Sequence, residues 1–257
     1  MKKKEKELFR NADAIISLTN KACPIIHTIS GSIQQQYLEV IPCCVDIDHF
    51  NPFSLDENEK MKWKIKLGIK EDEYILTYLG SLSTWYLPME MIAFYKKLKE
   101  KIPSSRFLII SQEDPAPFKK TAAQFGIADT SLIFISSRRS DLPALLSIST
   151  VSLFFIKPSF SKIASSPTKL GELLSMGIPV ICNSGIGDTD ELILNSGTGV
   201  ICNGFSEESF DDTIQQLMLL QKKISKEQIR QKAIELFSLE KGVSKYHAIY
   251  KKLLHQE

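Results

Sequence analysis

Residues 165–188, SSPTKLGELLSMGIPVICNSGIGD, decide how this 257-residue chain is read. They spell a polar loop, a capped helix, a buried strand and a glycine-bearing loop, in that order. Ser166 is placed to cap the helix, and Pro167 suits its first position because the missing N–H is not needed there. A helix start offers free backbone N–H groups and the positive end of the helix dipole, which together favour phosphate. Lys162 and Lys169 flank that start with full positive charges. Glu172 lies farther along the helix, where a carboxylate can accept hydrogen bonds from sugar hydroxyls. Gly177-Ile178-Pro179 stops the helix, and Val180-Ile181-Cys182 reads as a short buried strand.

On the residues alone, the loop from Ser159 to Lys169 supports two readings. Ser165, Ser166, the two lysines and the N–H groups of Thr168 and Lys169 hold a diphosphate, or the segment is an ordinary capped helix with surface lysines. Glu172 is either a sugar ligand or the acidic partner of Lys169 in an i,i+3 pair worth about 0.2–0.5 kcal/mol.

Outward from this stretch, apolar runs alternate with amphipathic segments of helical length. Strands are expected at 14–18, 39–41, 74–79, 106–111, 132–135, 151–156, 180–182 and 200–202. Helices are expected at 55–67, 87–101, 115–125, 141–147, 167–176, 188–195, 207–221, 226–237 and 241–254. In 87–101 the residues Met91, Phe94, Tyr95 and Leu98 recur at helical spacing and form a core-facing stripe. The alternation specifies an α/β fold, a doubly wound parallel sheet with helices on both faces.

Bulk properties remove several function classes. A net charge of +2 gives no broad electrostatic case for nucleic acid. Cys23, Cys43, Cys44, Cys182 and Cys202 are odd in number and form no C-x-x-C pair, which suits a reduced, cytoplasmic chain without a zinc site. The four histidines are scattered, so no metal is expected. No segment approaches the roughly 20 apolar residues of a membrane span. Lys2, Lys3, Lys4 and Lys6 either touch anionic lipid at the inner membrane face or form a solvated helix start.

Glu172 followed by Met176-Gly177-Ile178-Pro179-Val180 resembles the donor-binding half of the retaining GT-B glycosyltransferases called group 1. The resemblance implies that Glu172 holds the ribose of a nucleotide diphosphate sugar, which enters as a substrate, with no cofactor. A second Glu usual in that family falls at Ala164 here, so the two-Glu signature is half present. Pro167-Thr168-Lys169 is similar to the Pro-x-Lys of polysaccharide-type members, many of which also lack the first Glu. The run Val40-Ile41-Pro42-Cys43-Cys44-Val45-Asp46, with Phe50-Asn51-Pro52, resembles the family's interdomain crossing. Residues 1–50 are then the remnant of an N-terminal domain plus linker. Residues 51–257 are the donor domain with a C-terminal helix that packs back across. A full family member carries about one further domain ahead of this point. A short reading frame, half of a split enzyme and a truncated product are all compatible with the initial Met.

Three further loops follow predicted strands. Gly80-Ser81 lies where strand ends meet ligands in open α/β sheets, and Gly80 permits close backbone approach. Many relatives place an Arg and a Lys where this chain has Ser81 and Tyr86, so the cationic pair is replaced. Trp85 and Tyr86 line a sugar pocket or simply pack. Ser137, Arg138 and Arg139 occupy the loop that the resemblance places against the nucleobase; the alternative is solvated arginines. In Asn183-Ser184-Gly185-Ile186-Gly187-Asp188 the two glycines allow a tight turn and Asp188 can cap the next helix. Asp190 and Glu191 suit that helix's first turn. The glycine spacing fails as a dinucleotide fingerprint, which disfavours NAD. No general base stands out, and the catalytic residues are unassigned.

The expectation is a glycosyltransferase, or its donor-binding half, moving a sugar from a nucleotide diphosphate sugar to a saccharide or lipid-linked acceptor. The rival is a non-catalytic nucleotide-sugar-binding module that seeks a separate N-terminal-type domain or self-associates.

Overall fold

A computed structural model of the chain describes residues 2–30 and 37–254. The N-terminal part runs α1 (Lys2–Asn11), β1 (Ala14–Ser17), α2 (Cys23–Ser30) and β2 (Tyr37–Val40). After α3 (Glu57–Lys66) come β3 (Tyr74–Leu79), α4 (Pro88–Lys101), β4 (Ser105–Ile110), α5 (Ala116–Gln124), β5 (Leu132–Ile135) and α6 (Leu142–Leu146). The second half holds β6 (Val151–Phe154), α7 (Thr168–Ser175), β7 (Val180–Asn183), α8 (Thr189–Ser196) and β8 (Gly199–Cys202). Helices α9 (Glu207–Gln221), α10 (Lys226–Phe237) and α11 (Leu239–Leu253) close the described chain. Each strand expected from sequence is present within two residues of its predicted ends. Helix α2 was not expected: CPIIHTIS is rich in β-branched residues, which mask a helix. Among the described residues no helix is long and apolar enough to cross a membrane.

Six strands form one parallel sheet in the order β5-β4-β3-β6-β7-β8. Sequential strands march one way from β3 and the other way from β6. Right-handed crossovers in opposite directions put their helices on opposite faces, so the sheet is doubly wound. Strands covered on both faces must be apolar throughout. Ile75, Leu76, Phe107, Leu108, Ile109, Val151, Leu153 and Phe154 are accordingly all buried in the core. The order reverses between β3 and β6, which leaves a crevice beyond their carboxyl ends.

Strands β1 and β2 make a separate two-stranded parallel sheet. It is joined to the larger unit through a residue expected to do something else. Asp188 does not cap α8 with its side chain. Its carboxylate accepts instead from the Asn20 N–H at 2.5 Å, the Asn20 side-chain amide at 2.8 Å and the Lys21 N–H at 3.0 Å. The Thr19 hydroxyl donates to the Ile163 carbonyl at 2.8 Å. Gly187, at φ +47°, permits this close approach, since a Cβ there would overlap the Ser165 carbonyl. Helix α11 lies along β2, with Lys245 paired to Glu39 at 2.7 Å.

Candidate donor site at the sheet switch point

The N-terminus of α7 is set one residue later than the sequence suggested. Pro167 is the N-cap and Thr168 the first helical residue. Ser166 does not cap: its hydroxyl accepts from the Cys43 N–H at 3.1 Å and so ties the segment after β2 to this loop. The first N–H groups of α7 therefore have neither an intrahelical acceptor nor a side-chain cap. Ser165 donates its N–H to the Lys162 carbonyl at 3.1 Å, and Gly187 donates to the same carbonyl at 2.8 Å. These two bonds fix the loop that leads into the helix.

Lys169 sits in the first turn of α7, and its ammonium lies beside Gly80 and the Tyr78 and Phe154 rings at the carboxyl ends of β3 and β6. The residue is 9% exposed, yet its ammonium has no hydrogen-bond partner among the described residues. It rests among ring faces, 3.9 Å from the centre of Tyr86, 4.6 Å from Tyr78 and 5.8 Å from Phe154. Gly80, at φ +130°, opens the room it needs: a Cβ there would stand 2.6 Å from the lysine nitrogen. Burial lowers the Lys169 pKa from 10.5 to about 7, against the smaller opposing pull of Glu172. An anion would favour the charged form. Diphosphate affinity should therefore fall as pH rises above about 7, by up to about tenfold per unit. Calorimetric titration from pH 6 to 9 checks this, and Lys169→Arg should flatten the profile.

The loop after β3 carries no cation. Ser81 Oγ donates to the Glu113 carboxylate, as does Ser83 Oγ at 3.1 Å and the Leu82 N–H at 3.0 Å. The bond from Ser81 is the main reason the Glu113 carboxyl titrates below its usual range. The Tyr78 hydroxyl donates to the Ser81 carbonyl, and burial raises the Tyr78 pKa. Lys162 lies over the Trp85 ring, 4.3 Å from its centre.

Glu172, one turn farther along α7, is 7% exposed. Its partner is Arg139 at 2.9 Å, rather than Lys169. The Arg139 guanidinium is itself largely exposed and stacks on Phe50, 5.2 Å from the ring centre. The β5 loop and the middle of α7 thus meet in one arginine–carboxylate pair at the edge of the crevice. The Ser137 hydroxyl donates to the Arg138 carbonyl in its own loop, and its carbonyl accepts from the Gln112 amide of the loop after β4 at 2.7 Å. Arg138 is exposed.

The structure gathers Gly80, Tyr86 and Lys169 into one cluster, Trp85 and Lys162 into a second, and Arg139 and Glu172 into a third. Sequence reasoning did not single out Phe154 or Glu113, and Tyr78 entered only as the strand residue that opens the candidate stretch 78–86. Asp190 and Glu191 occupy the first turn of α8 as expected, and Asp190 also accepts from the Gly185 N–H at 3.2 Å.

A glycosyltransferase from Rickettsia africae ESF-5 superposes with a TM-score of 0.79 at 20% identity, covering 99% of this chain and 68% of that one. HepE from Anabaena, solved with UDP and glucose, gives a TM-score of 0.68 at 14% identity, covering 96% of this chain and 64% of that one. The C-terminal domain of a glycosyl transferase group 1 protein, LpcC from Francisella tularensis, gives 0.58 at 18% identity, covering 76% of this chain and 99% of that domain. These likenesses show the fold, and the chain spans about two thirds of the first two proteins. No curated protein matches the sequence. Residues 59–236, which include α7, the crevice and the Arg139–Glu172 pair, match the family described as glycosyl transferases group 1. The chain belongs to that family.

Proposed function

We propose that the crevice beyond β3 and β6 binds a nucleotide diphosphate sugar and that the chain is the donor-binding half of a glycosyltransferase. One observation carries this reading. A buried ammonium without a hydrogen-bond acceptor, Lys169, stands at an uncapped helix start. Burying an unpaired cation costs several kcal/mol, and a phosphate would offset that cost. Lys169 and the first N–H groups of α7 would hold the diphosphate and stabilise it as the leaving group. Glu172, oriented by Arg139, would accept from the ribose hydroxyls, while Trp85 and Tyr86 would border the sugar. The acceptor would be a saccharide or a lipid-linked saccharide, bound largely by surfaces beyond this crevice.

UDP is the first nucleotide to test, because HepE was solved with it. Glu172→Gln should weaken nucleoside diphosphate binding by about tenfold through the lost charge-assisted bonds. Inorganic pyrophosphate, which has no ribose, should bind both forms equally. Equal weakening of both ligands would place Glu172 away from the sugar. A second reading, a non-catalytic binding module, is favoured by Ser81, tied to the Glu113 carboxylate, and Tyr86 at the two places where many relatives present cations. Hydrolysis or transfer of sugar from a bound nucleotide sugar would rule that reading out.

A further inference from the structure

The segment after β3 turns back beside the end of β6. It runs antiparallel to the chain leaving β6, with Tyr86 opposite Ile156. The Lys157 N–H donates to the Trp85 carbonyl at 2.7 Å, and the Leu87 N–H donates to the Phe155 carbonyl at 3.1 Å. This pairing sets two consecutive rings over two lysines that belong to the loop and helix following β6. Lys162 takes the Trp85 face and Lys169 takes the Tyr86 face.

A ring face satisfies an ammonium only in part. It supplies electrostatic attraction but no lone pair, and the three N–H donors of Lys169 stay unmet. A phosphate oxygen satisfies the same group far better. Lys169 is thus stored on rings within reach of an anion rather than spent on one. The segment that bears the rings has a fixed stem, because Glu113 fastens Ser81 through Ser83. It also has a strained joint. Thr84, at φ +59°, is the only non-glycine residue at positive φ among the described residues, and a β-branched side chain makes that conformation costly.

We propose that Trp85 and Tyr86 are positioning residues for the donor, holding Lys162 and Lys169 on their rings while the crevice is empty and yielding them to the donor's phosphates on binding. The proposal rests on the donor-site reading above. Its consequence is a competition: the Tyr86 face and the phosphate vie for one ammonium. Removing the ring should tighten phosphate binding. Tyr86→Phe, which keeps a ring face, should leave binding unchanged. The Lys169 charge is set by burial and by Glu172 on its own helix, whose carboxylate pairs with Arg139.

The test uses the full chain with lysine labelled at the ε-carbon, the Lys169 signal being assigned by its loss in Lys169→Arg. In the free protein its methylene protons should be shifted upfield by the rings. Addition of UDP should move them back toward the solvated position. Tyr86→Leu should bind UDP about three- to tenfold more tightly, the equivalent of one cation–π contact. A signal that stays upfield while UDP binds, or weaker binding by Tyr86→Leu than by Tyr86→Phe, would overturn the exchange. A free-state signal without an upfield shift, in a protein that nevertheless binds UDP, would overturn the ring storage and leave the donor site standing. An upfield signal in a protein that binds neither UDP nor pyrophosphate would overturn the donor site, and with it the release.

Discussion

Lys169→Met is expected to weaken nucleoside diphosphate binding by about ten- to a hundredfold and at the same time to stabilise the free chain. The loss follows from removing a charge-assisted hydrogen bond, worth about 1.5–3 kcal/mol. The gain follows from the same burial that makes the lysine useful. Its ammonium is enclosed without an acceptor, and methionine fills a similar volume without a charge. A gain of about 1–4 kcal/mol corresponds to a rise of roughly 2–15 °C in melting temperature for a domain of this size. The pH dependence has a defined sign. The folded chain releases this proton near pH 7, whereas the unfolded chain keeps it to about 10.4. Between those values the unfolded state binds more protons, so the stability of the wild-type chain rises with pH. The advantage of Lys169→Met should be full below about pH 7 and shrink as pH climbs toward 10. Thermal melts of both proteins at pH 6.5 and 9.5 check this. A methionine variant no more stable than wild type at pH 6.5 would show that the ammonium carries no burial cost.

Arg230→Met is expected to destabilise the chain by about 3–5 kcal/mol, roughly 6–20 °C in melting temperature. Arg230 projects from α10 with a buried guanidinium. One nitrogen donates to the Phe50 carbonyl at 2.6 Å and the Ser175 carbonyl at 2.8 Å, and the other donates to the Ile47 carbonyl at 2.8 Å. Two of these carbonyls lie on the segment between β2 and α3 and one on the last turn of α7. A single side chain therefore fixes the helix that carries Lys169 and Glu172 against the segment between β2 and α3. Methionine would leave three carbonyls without a donor. Arg230→Lys should recover little, because an ammonium cannot reproduce a planar fork spread over three acceptors. A urea titration of the three proteins reads the order directly. A loss under about 1 kcal/mol for Arg230→Met would mean that the segment between β2 and α3 relaxes freely without it.

The parallel sheet was legible because its strands are apolar on both faces and its helices are amphipathic, as the run from Tyr74 to Leu79 and the stripe from Met91 to Leu98 illustrate. Helix α7 was legible from Pro167, Lys169 and Gly177 together. What could not be read were partners distant in sequence. Asp188 has the local signature of a helix cap, and nothing nearby reveals that Asn20 and Lys21 will take its carboxylate. Ser166 likewise looks like a cap until the Cys43 N–H arrives across the fold. Glu172 lies three residues from Lys169, the spacing of an intrahelical pair. The ammonium is drawn instead to the rings of Tyr78 and Tyr86, and Arg139 takes the carboxylate. Glu113 shows the limit most plainly. A single charge on a loop after β4 carries no local pattern, yet it organises the loop after β3.

A crystal structure of the chain grown with UDP addresses the central claim most directly. The account predicts the diphosphate at the start of α7, with an oxygen within hydrogen-bond distance of the Lys169 ammonium, and the ribose hydroxyls on Glu172. A nucleotide seated elsewhere, with the Lys169 ammonium still on the Tyr86 ring, would contradict it.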